Sequence, residues 1–286
     1  MKANLDCVPC LLRQSLEASR RAQADKTQQE RILRRSAEFL SNVDYRQSPP
    51  EIAHHIHAIV REVTGNEDPY KKLKDHDNKL ALTLYPCMKE MVAKADDSFM
   101  MAVRLAIVGN IIDYGVGQEF DVLKHVKEAT KKEFTLGDYP RFKKDLAAAK
   151  TIMYLADNAG EIVFDRLLIE EIVKQFGEKD ITVVVKGGPI INDATVDDAK
   201  NIGIDKLVKL DIVGNGMPNT GLERSDPKFI SKLKSADLVI AKGQGNFEAL
   251  SEEKYIYFLL MAKCQLVARE LGVPQGSLIL KGGVSE

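Results

Sequence analysis

The spacing of hydrophobic residues changes near residue 150. Up to that point apolar residues recur every three or four positions, which is the period of an amphipathic helix, as in the set Ile52, Ile56, Ile59, Val60 and Val63. This pattern predicts a series of helices over residues 6–148, with a break at Pro49-Pro50. Gly65-Asn66 is typical of a helix C-terminus, and the segment 100–114 is apolar enough to be a buried helix.

Beyond residue 150, short apolar runs alternate with helical segments. We predict strands at 151–155, 181–185, 206–210, 237–241, 256–261 and 277–280. Helices are predicted at 162–176, 194–201, 226–234 and 264–271. Such alternation is typical of an α/β fold, here with a mainly parallel sheet of about five or six strands and helices on both faces. The boundary between the two patterns falls in the polar, lysine-rich stretch 138–150.

Composition excludes several classes of protein. The chain has 286 residues, of which 44% are hydrophobic and 29% charged, and a formal net charge of −1. That balance is typical of a globular protein and gives no sign of the basic face that nucleic-acid binding needs. No apolar run is long enough to span a membrane, and the N-terminus lacks the apolar core of a signal peptide. We therefore expect a cytoplasmic protein whose four cysteines are reduced.

Polar residues directly follow several predicted strands. Asp157 and Asn158 come after the first strand, Lys186 and then Asp193 after the second, and Lys242 after the fourth. Because parallel strands end at the same edge of a sheet, these side chains are expected to lie together. Carboxylate and amide oxygens suit a divalent cation, while lysines and glycine-rich backbone suit a phosphate. The pattern thus favours a metal ion bound beside a phosphate group.

Each of these residues also has a purely structural interpretation. Asp157, Asn158 and Asp193 could cap the helices that follow them, the two lysines could extend from strand ends, and the glycines could serve turns. Their gathering at one edge favours a binding site over all of these interpretations holding at once. No P-loop, no GxGxxG after the first strand and no GxSxG elbow is present, so an ATPase, a dinucleotide enzyme and an α/β-hydrolase are disfavoured.

Three further groups of residues are open to two interpretations. Asn110 and Asp113 share one helix face, and they either make an internal polar contact or close one side of an active site. The pair Cys7 and Cys10 has no second CxxC, which favours packed thiols, although a small metal or redox site with Cys87 is the alternative. His54, His55 and His57 suggest either a metal site or surface positions on an amphipathic helix. We expect surface positions, because no HExxH motif accompanies them.

Three sequence blocks resemble the signature of the damage-control phosphatase family. They are the pentapeptide 157–161 (DNAGE), the segment 186–193 beginning Lys-Gly and ending Asn-Asp, and the segment 242–248 (KGQGNFE). The similarity extends to the CxxC pair and to residues 104–115, so it covers most of the chain and is closest to the prokaryotic, CxxC-bearing branch. The resemblance implies a helical N-terminal domain, 1–148, on a Rossmann-like domain, 149–286.

The resemblance also implies metal-dependent hydrolysis of phosphate monoesters of small metabolites, such as sugar phosphates or nucleotides. Asp157, Asn158 and Asp193 would bind the divalent ion, which could be Mn²⁺, Mg²⁺, Ni²⁺ or Co²⁺. The substrate phosphate would be held by Lys242 and the loop beside it, with further substrate contacts from other blocks. The residues expected to contact the substrate besides Lys242 are Asn158, Gly243, Gln244, Gly245, Asn246, Lys186, Asn110 and Asp113.

Glu161 is a further candidate for a catalytic or substrate contact. In the branch with sugar-phosphate activity an additional residue lies between the glycine and the glutamate of the first block, whereas Glu161 directly follows Gly160 here. Two other functions fit the same residues: a non-catalytic protein that binds a phosphometabolite or nucleotide, and a methyltransferase, which the missing glycine fingerprint disfavours. The sequence does not distinguish attack by water from attack by Asp157, which would give an aspartyl phosphate.

Overall fold

The computed structural model describes residues 1–109, 119–213, 227–253 and 255–282, with the side chains of 119–122 excepted. The N-terminal region consists of helices α1 (Cys7–Arg21), α2 (Lys26–Ser41), α3 (Pro49–Thr64), α4 (Lys71–Lys94), α5 (Ser98–Val108) and α6 (Glu119–Ala129). Within the described ranges, no helix combines the length and apolar character needed to cross a membrane.

Local sequence signals explain where α3 begins and ends. Ser48 and Glu51 form a capping box, the two prolines occupy the first helical positions, and Gly65 ends the helix with a φ of 67°. These bounds confirm the predicted break and the predicted helix end. By contrast, α4 continues through Pro86, although proline is unfavourable inside a helix. Its buried face, which includes Leu84 and Met88 on either side of the proline, holds the helix together there.

In the described part of the chain, one sheet contains seven strands: β1 (Phe134–Gly137), β2 (Thr151–Leu155), β3 (Asp180–Lys186), β4 (Lys209–Val213), β5 (Leu238–Lys242), β6 (Ile256–Met261) and β7 (Leu278–Gly282). Their order is β1-β7-β6-β5-β2-β3-β4, and all neighbours are parallel except β6 and β7. The predicted α/β class is confirmed. The strand β1 was missed, because its four residues alternate in burial within a stretch interpreted as helical.

The remaining helices cover both faces of the sheet. They are α7 (Tyr139–Ala148), α8 (Glu161–Phe176), α9 (Val196–Asn201), α10 (Pro227–Ser235), α11 (Gly243–Leu250) and α12 (Gln265–Leu271). Alternate residues of β2 face opposite cores: Tyr154 packs with α4, α5 and α8, whereas Leu155 packs with α10, α11 and α12. The helices α1 to α3 have two smaller apolar clusters of their own.

The strand order locates the binding edge. From β2 the chain moves outward through β3 to β4 on one side and then returns to β5 and β6 on the other side. The order therefore reverses between β2 and β5, and a crevice opens there at the carboxyl ends of the strands. Asp157 lies two residues after the end of β2, and Gly243 directly follows β5.

Candidate functional site

The segments that follow β2 and β3 are joined by backbone hydrogen bonds. The Ala159 N–H donates to the Asn192 carbonyl over 2.9 Å, and the Ala194 N–H donates to the Asp157 carbonyl over 2.8 Å. An isolated antiparallel bridge also pairs Asn158 with Asp193. Two segments about 35 positions apart in the sequence thus place Asp157, Asn158 and Asp193 side by side.

The side chains at this junction offer hard oxygen atoms in a buried setting. The Asn158 amide donates through Nδ2 to Asp157 Oδ2 at 2.8 Å and to Glu161 Oε2 at 3.3 Å. Because the amide nitrogen is fixed in this way, its oxygen Oδ1 is the atom left to coordinate a cation. Burial raises the pKa of Asp157 well above its usual range, and the neighbouring charges of Glu161 and Asp193 raise it further.

This crowding of negative groups fits a divalent cation, which would offset their mutual repulsion. The fit depends on the asparagine. Among the described residues, no three side chains of His, Cys, Asp or Glu are grouped so that they could hold a metal by themselves. A site here would combine two aspartate carboxylates with the Asn158 amide oxygen, and water would complete the coordination as it does around Mg²⁺.

Helix α11 approaches Asp157 from the β5 side of the crevice between β2 and β5. Gly243 has a φ of 76°, and a Cβ placed on it would lie 1.8 Å from Asp157 Oδ2, so no larger residue fits. The segment Gly243–Asn246, predicted as a loop, is the first turn of this helix. Its N-terminus therefore lies beside Asp157, where the helix dipole favours an anion.

Lys242 points away from the cleft. Its ammonium group is completely buried and donates to the Ala106 carbonyl at 2.8 Å, to Glu161 Oε1 at 2.6 Å and to Asp165 Oδ1 at 2.6 Å. A lysine has three N–H donors, and all three are used here. This arrangement does not support the expected contact between Lys242 and a substrate phosphate. Lys242 instead neutralises two buried carboxylates beneath the site.

Lys186, at the end of β3, faces the cleft instead. Its Nζ lies 3.5 Å from Asp193 Oδ2, with 7% of the Lys186 side chain exposed. Lys186, Asp157 and Asp193 line one cavity of about 340 Å³, and the helix α1 and the start of α3 form its opposite wall. The predicted clustering of lysine and carboxylates at one edge therefore has Lys186, not Lys242, as the lysine that a ligand can reach.

Comparison with known proteins identifies the family to which these features belong. The family model for the damage-control phosphatase ARMT1-like domain matches residues 3–279. The chain belongs to the damage-control phosphatase family. A damage-control phosphatase of Archaeoglobus fulgidus is 38% identical, over 98% of this chain and 99% of that protein. Another, from Pyrococcus horikoshii, is 35% identical over 98% of this chain and 97% of its own length.

A solved structure shares the whole fold. The crystal structure of a DUF89 family protein from Pyrococcus horikoshii superposes with a TM-score of 0.92 at 34% identity, covering 99% of this chain and 100% of that one. Membership of the damage-control phosphatase family supports a phosphatase. The resemblance drawn from the three sequence blocks is thereby confirmed at the level of the family.

In this member of the damage-control phosphatase family, two residues predicted to contact the substrate, Gln244 and Asn246, make hydrogen bonds to other groups of the protein. The Gln244 side chain accepts from the backbone N–H groups of Lys263 and Cys264, each at 3.1 Å, and donates to Glu248 Oε1 at 2.9 Å. The Asn246 amide donates to the carbonyls of Ala156 and Lys242 at 3.2 and 2.7 Å. Gln244 still lines the cavity together with Gly245, whereas Asn246 ties β2 to β5.

The cysteines are arranged differently from the expectation. Cys7 and Cys10 line the cavity, but the third cysteine there is Cys264 and not Cys87. All four cysteines are free thiols. Burial raises the pKa of Cys7 and of Cys264, and the nearby Glu248 raises both further. Neutral thiols in a cavity wall behave as small apolar groups, which agrees with the packed-thiol interpretation.

Several residues of the site carried no clear signal in the sequence. Asn78 in α4 accepts a 2.7 Å hydrogen bond from the Gly160 N–H and so fixes the turn after β2. Asp165 accepts from Lys242 and also from the Tyr154 hydroxyl at 2.8 Å. Its position four residues after Glu161, on the same helix face, was the one available hint. Asn110 and Asp113 lie outside the described residues.

Proposed function

We propose that this protein is a metal-dependent phosphatase that hydrolyses phosphate monoesters of small metabolites, such as sugar phosphates or nucleotides. The proposal depends on one observation: Asp157, Asn158 and Asp193 lie side by side in the crevice where the strand order reverses, and Lys186 lies in the same cavity. Family membership supports the phosphatase and its place in metabolite damage control. The metal dependence and the phosphomonoester class rest on the donor set.

Two aspartate carboxylates and the Asn158 Oδ1 would hold the divalent cation, which could be Mg²⁺, Mn²⁺, Ni²⁺ or Co²⁺ because oxygen ligands accept several. When bound, such an ion withdraws charge from a phosphoryl group and lowers the pKa of water. Glu161 would act indirectly. It accepts hydrogen bonds from the Asn158 amide and from Lys242, and it would thereby keep the Asn158 oxygen directed to the ion.

The phosphate would be bound on the side of the cavity that carries Lys186 and the N-terminus of α11. Lys186 supplies a cation, and the first backbone N–H groups of α11 supply donors at the positive end of the helix dipole. Both favour the extra negative charge that spreads over the phosphoryl oxygens during transfer. Lys242, which is saturated by protein acceptors, holds the carboxylates below this site in place.

The cavity indicates the size of the substrate. Its volume of about 340 Å³ is at the lower end of the range for small-molecule sites and is too small for a macromolecule. We favour water over Asp157 as the nucleophile, because a carboxylate that coordinates a metal is a poor nucleophile. Acid quenching during turnover distinguishes the two, since only attack by Asp157 leaves a phosphorylated protein.

A panel of small phosphate esters tests the proposal directly. The purified protein is freed of metal with EDTA and then assayed for phosphate release with Mn²⁺, Mg²⁺, Ni²⁺ or Co²⁺. We expect no release without metal and turnover of at least one ester with it. Release that persists in EDTA contradicts the metal requirement. Thermal stabilisation by an ester without release indicates the non-catalytic binder, and methyl transfer from a labelled donor indicates the methyltransferase.

A further inference from the structure

The backbone at Ile191 is in a conformation that isoleucine rarely adopts. Its φ is 44°, and among the described residues the only other non-glycine residue with a positive φ is Gln23. A β-branched side chain in the left-handed region is unfavourable and persists only when surrounding contacts enforce it. Ile191 stands two positions before Asp193, in the segment that brings this aspartate to Asp157.

The enforcing contacts come from the helical N-terminal region. Ile191 packs against an apolar cluster formed by Ala18, Ala24, Ile32, Val60 and Tyr70. Its neighbour Ile190 is buried, and Arg61 of α3 reaches the Pro189 carbonyl at 3.5 Å. The gap between this segment and α3 is only about 10 Å³, at the lower limit for one water molecule. On its α3 side the segment 189–191 therefore has little room to relax, while Ile190 and Ile191 border the 340 Å³ cavity on the other side.

The left-handed turn at Ile191 sets the course of the residues that follow. The Asp193 N–H donates back to the Ile190 carbonyl at 3.0 Å, closing a turn around Ile191 and Asn192. Directly after that turn come the two hydrogen bonds that join this segment to the one after β2, Ala159 N–H to Asn192 and Ala194 N–H to Asp157. A different backbone conformation at Ile191 would move Asp193 relative to Asn158.

We infer that Ile191 is a positioning residue: its side chain, held in the apolar cluster of the helical region, forces the left-handed turn that places Asp193 in the metal site. The inference rests on the proposed function for its consequence in catalysis, but its structural part is independent of it. The helical region is then more than a cover for the cavity, because its packing positions one of the three proposed protein ligands of the ion.

Ile191→Gly tests this, because glycine removes the apolar anchor and no longer needs to be forced into any backbone conformation. We expect the Kd for Mn²⁺, measured by titration, to rise about tenfold or more, as for the loss of other groups that orient metal ligands. In the metal-free protein, hydrogen exchange at the amides of Ala159, Asp193 and Ala194 should accelerate by a similar factor. Ile191→Val keeps a β-branched apolar anchor and should restore both values to within about threefold of wild type.

Gln23→Gly is the matched control, since it makes the same kind of backbone change at an exposed position in the helical region. It should leave the Mn²⁺ Kd and the three exchange rates unchanged. If Ile191→Gly does not fold, Ile191→Asn replaces it, because asparagine tolerates the left-handed region but offers no apolar anchor. Unchanged Kd and exchange in the folded variant that lacks the anchor, Ile191→Gly or its replacement Ile191→Asn, overturn the inference. If the wild-type protein binds no Mn²⁺ and releases no phosphate, the proposed function fails, and the exchange rates still decide the inference.

Discussion

Two lysines end strands on opposite sides of β2, and the structure uses them in opposite ways. Lys242, on the β5 side, is sealed beneath the site with all three donors on protein acceptors. Lys186, on the β3 side, lies in the cavity wall next to Asp193, 3.5 Å away. The same residue type at the same sheet edge is thus bonded within the protein interior in one place and lines the cavity in the other.

This difference separates residues that hold the site from residues that act in it. Tyr154, Asp165, Lys242 and Glu161 form a buried chain of hydrogen bonds that ends at the Asn158 amide. Burial raises the pKa of Asp165 to about 6, with a smaller contribution from Glu161, even though Lys242 opposes the shift. The buried chain around Lys242 is therefore expected to respond to mutation mainly in stability, and the β3 side mainly in metal binding and turnover.

The largest effect is expected for Asp193→Ala on the β3 side. Removing one of two carboxylates from the proposed metal site should lower metal-dependent phosphate release by about 10³-fold or more, since a bound metal supplies several kcal/mol to the transition state. Asp197→Ala, which removes an exposed carboxylate four residues further on, is the control and should keep activity within about twofold. Full turnover in the Asp193→Ala variant would show that Asp193 is not a ligand of the catalytic metal.

Lys242→Met should destabilise the protein strongly. It leaves Glu161 and Asp165 buried without their cation, and breaking a buried pair in this way typically costs about 3–5 kcal/mol. Urea unfolding measures the loss. Lys186→Met leaves only one carboxylate, Asp193, without its cation, and does so in a cavity wall, so it should cost clearly less stability than Lys242→Met but lower phosphate release by about 10²-fold. Equal losses of stability in the two variants would contradict the division of roles.

Acid should weaken the contact between α3 and the β3 side. His57, expected at the surface, is 3% exposed and packs against Tyr70 beside the segment 189–191. Burial lowers its pKa to about 4, helped by the charges of Arg61 and His54. The folded state thus keeps His57 neutral, whereas the unfolded chain gains a proton as the pH falls below 6.5.

The stability that depends on a neutral His57 is complete above pH 6.5 and is lost between pH 6.5 and pH 4, by up to about 3 kcal/mol. His57→Phe removes this titration and keeps an aromatic ring against Tyr70. The difference in unfolding free energy between wild type and variant, measured from pH 8 to pH 4, isolates the effect because the other groups cancel. A difference that is independent of pH would show that His57 does not titrate in this way.

Gly243→Ala should lower turnover less than Asp193→Ala does. Its new Cβ would collide with Asp157 Oδ2, 1.8 Å away, and displace either the aspartate or α11. Misplacement of a catalytic group by about 1 Å can lower turnover by about 10²-fold.

Gly272→Ala is the matched control for this variant. Gly272 has a similar φ, 67° against 76°, but no atom of the described residues lies within 4 Å of the position that a Cβ would take there. Both variants should lose about 1 kcal/mol of stability to backbone strain, Gly243→Ala should lose more because of the collision, and only Gly243→Ala should lose turnover. Equal activity in the two variants would contradict the close contact between α11 and Asp157.

The sequence predicted the α/β class, six of the strands and the convergence of three blocks, because period and strand-end position are local signals. It did not predict the direction of the Lys242 side chain, which depends on the position of Glu161 and Asp165 on a neighbouring helix. Nor did it indicate Ile191, whose strain exists only against the folded helical region. The features that the sequence did not predict depend on packing between segments that are far apart in the chain.

Anomalous diffraction from crystals grown with Mn²⁺ shows whether Asp157, Asn158 and Asp193 hold the ion. We expect one strong peak at the junction of the segments after β2 and β3, bonded to these three residues, in protein that releases phosphate with the same ion. A peak at another position, or none at this junction in protein that is active with Mn²⁺, would contradict it.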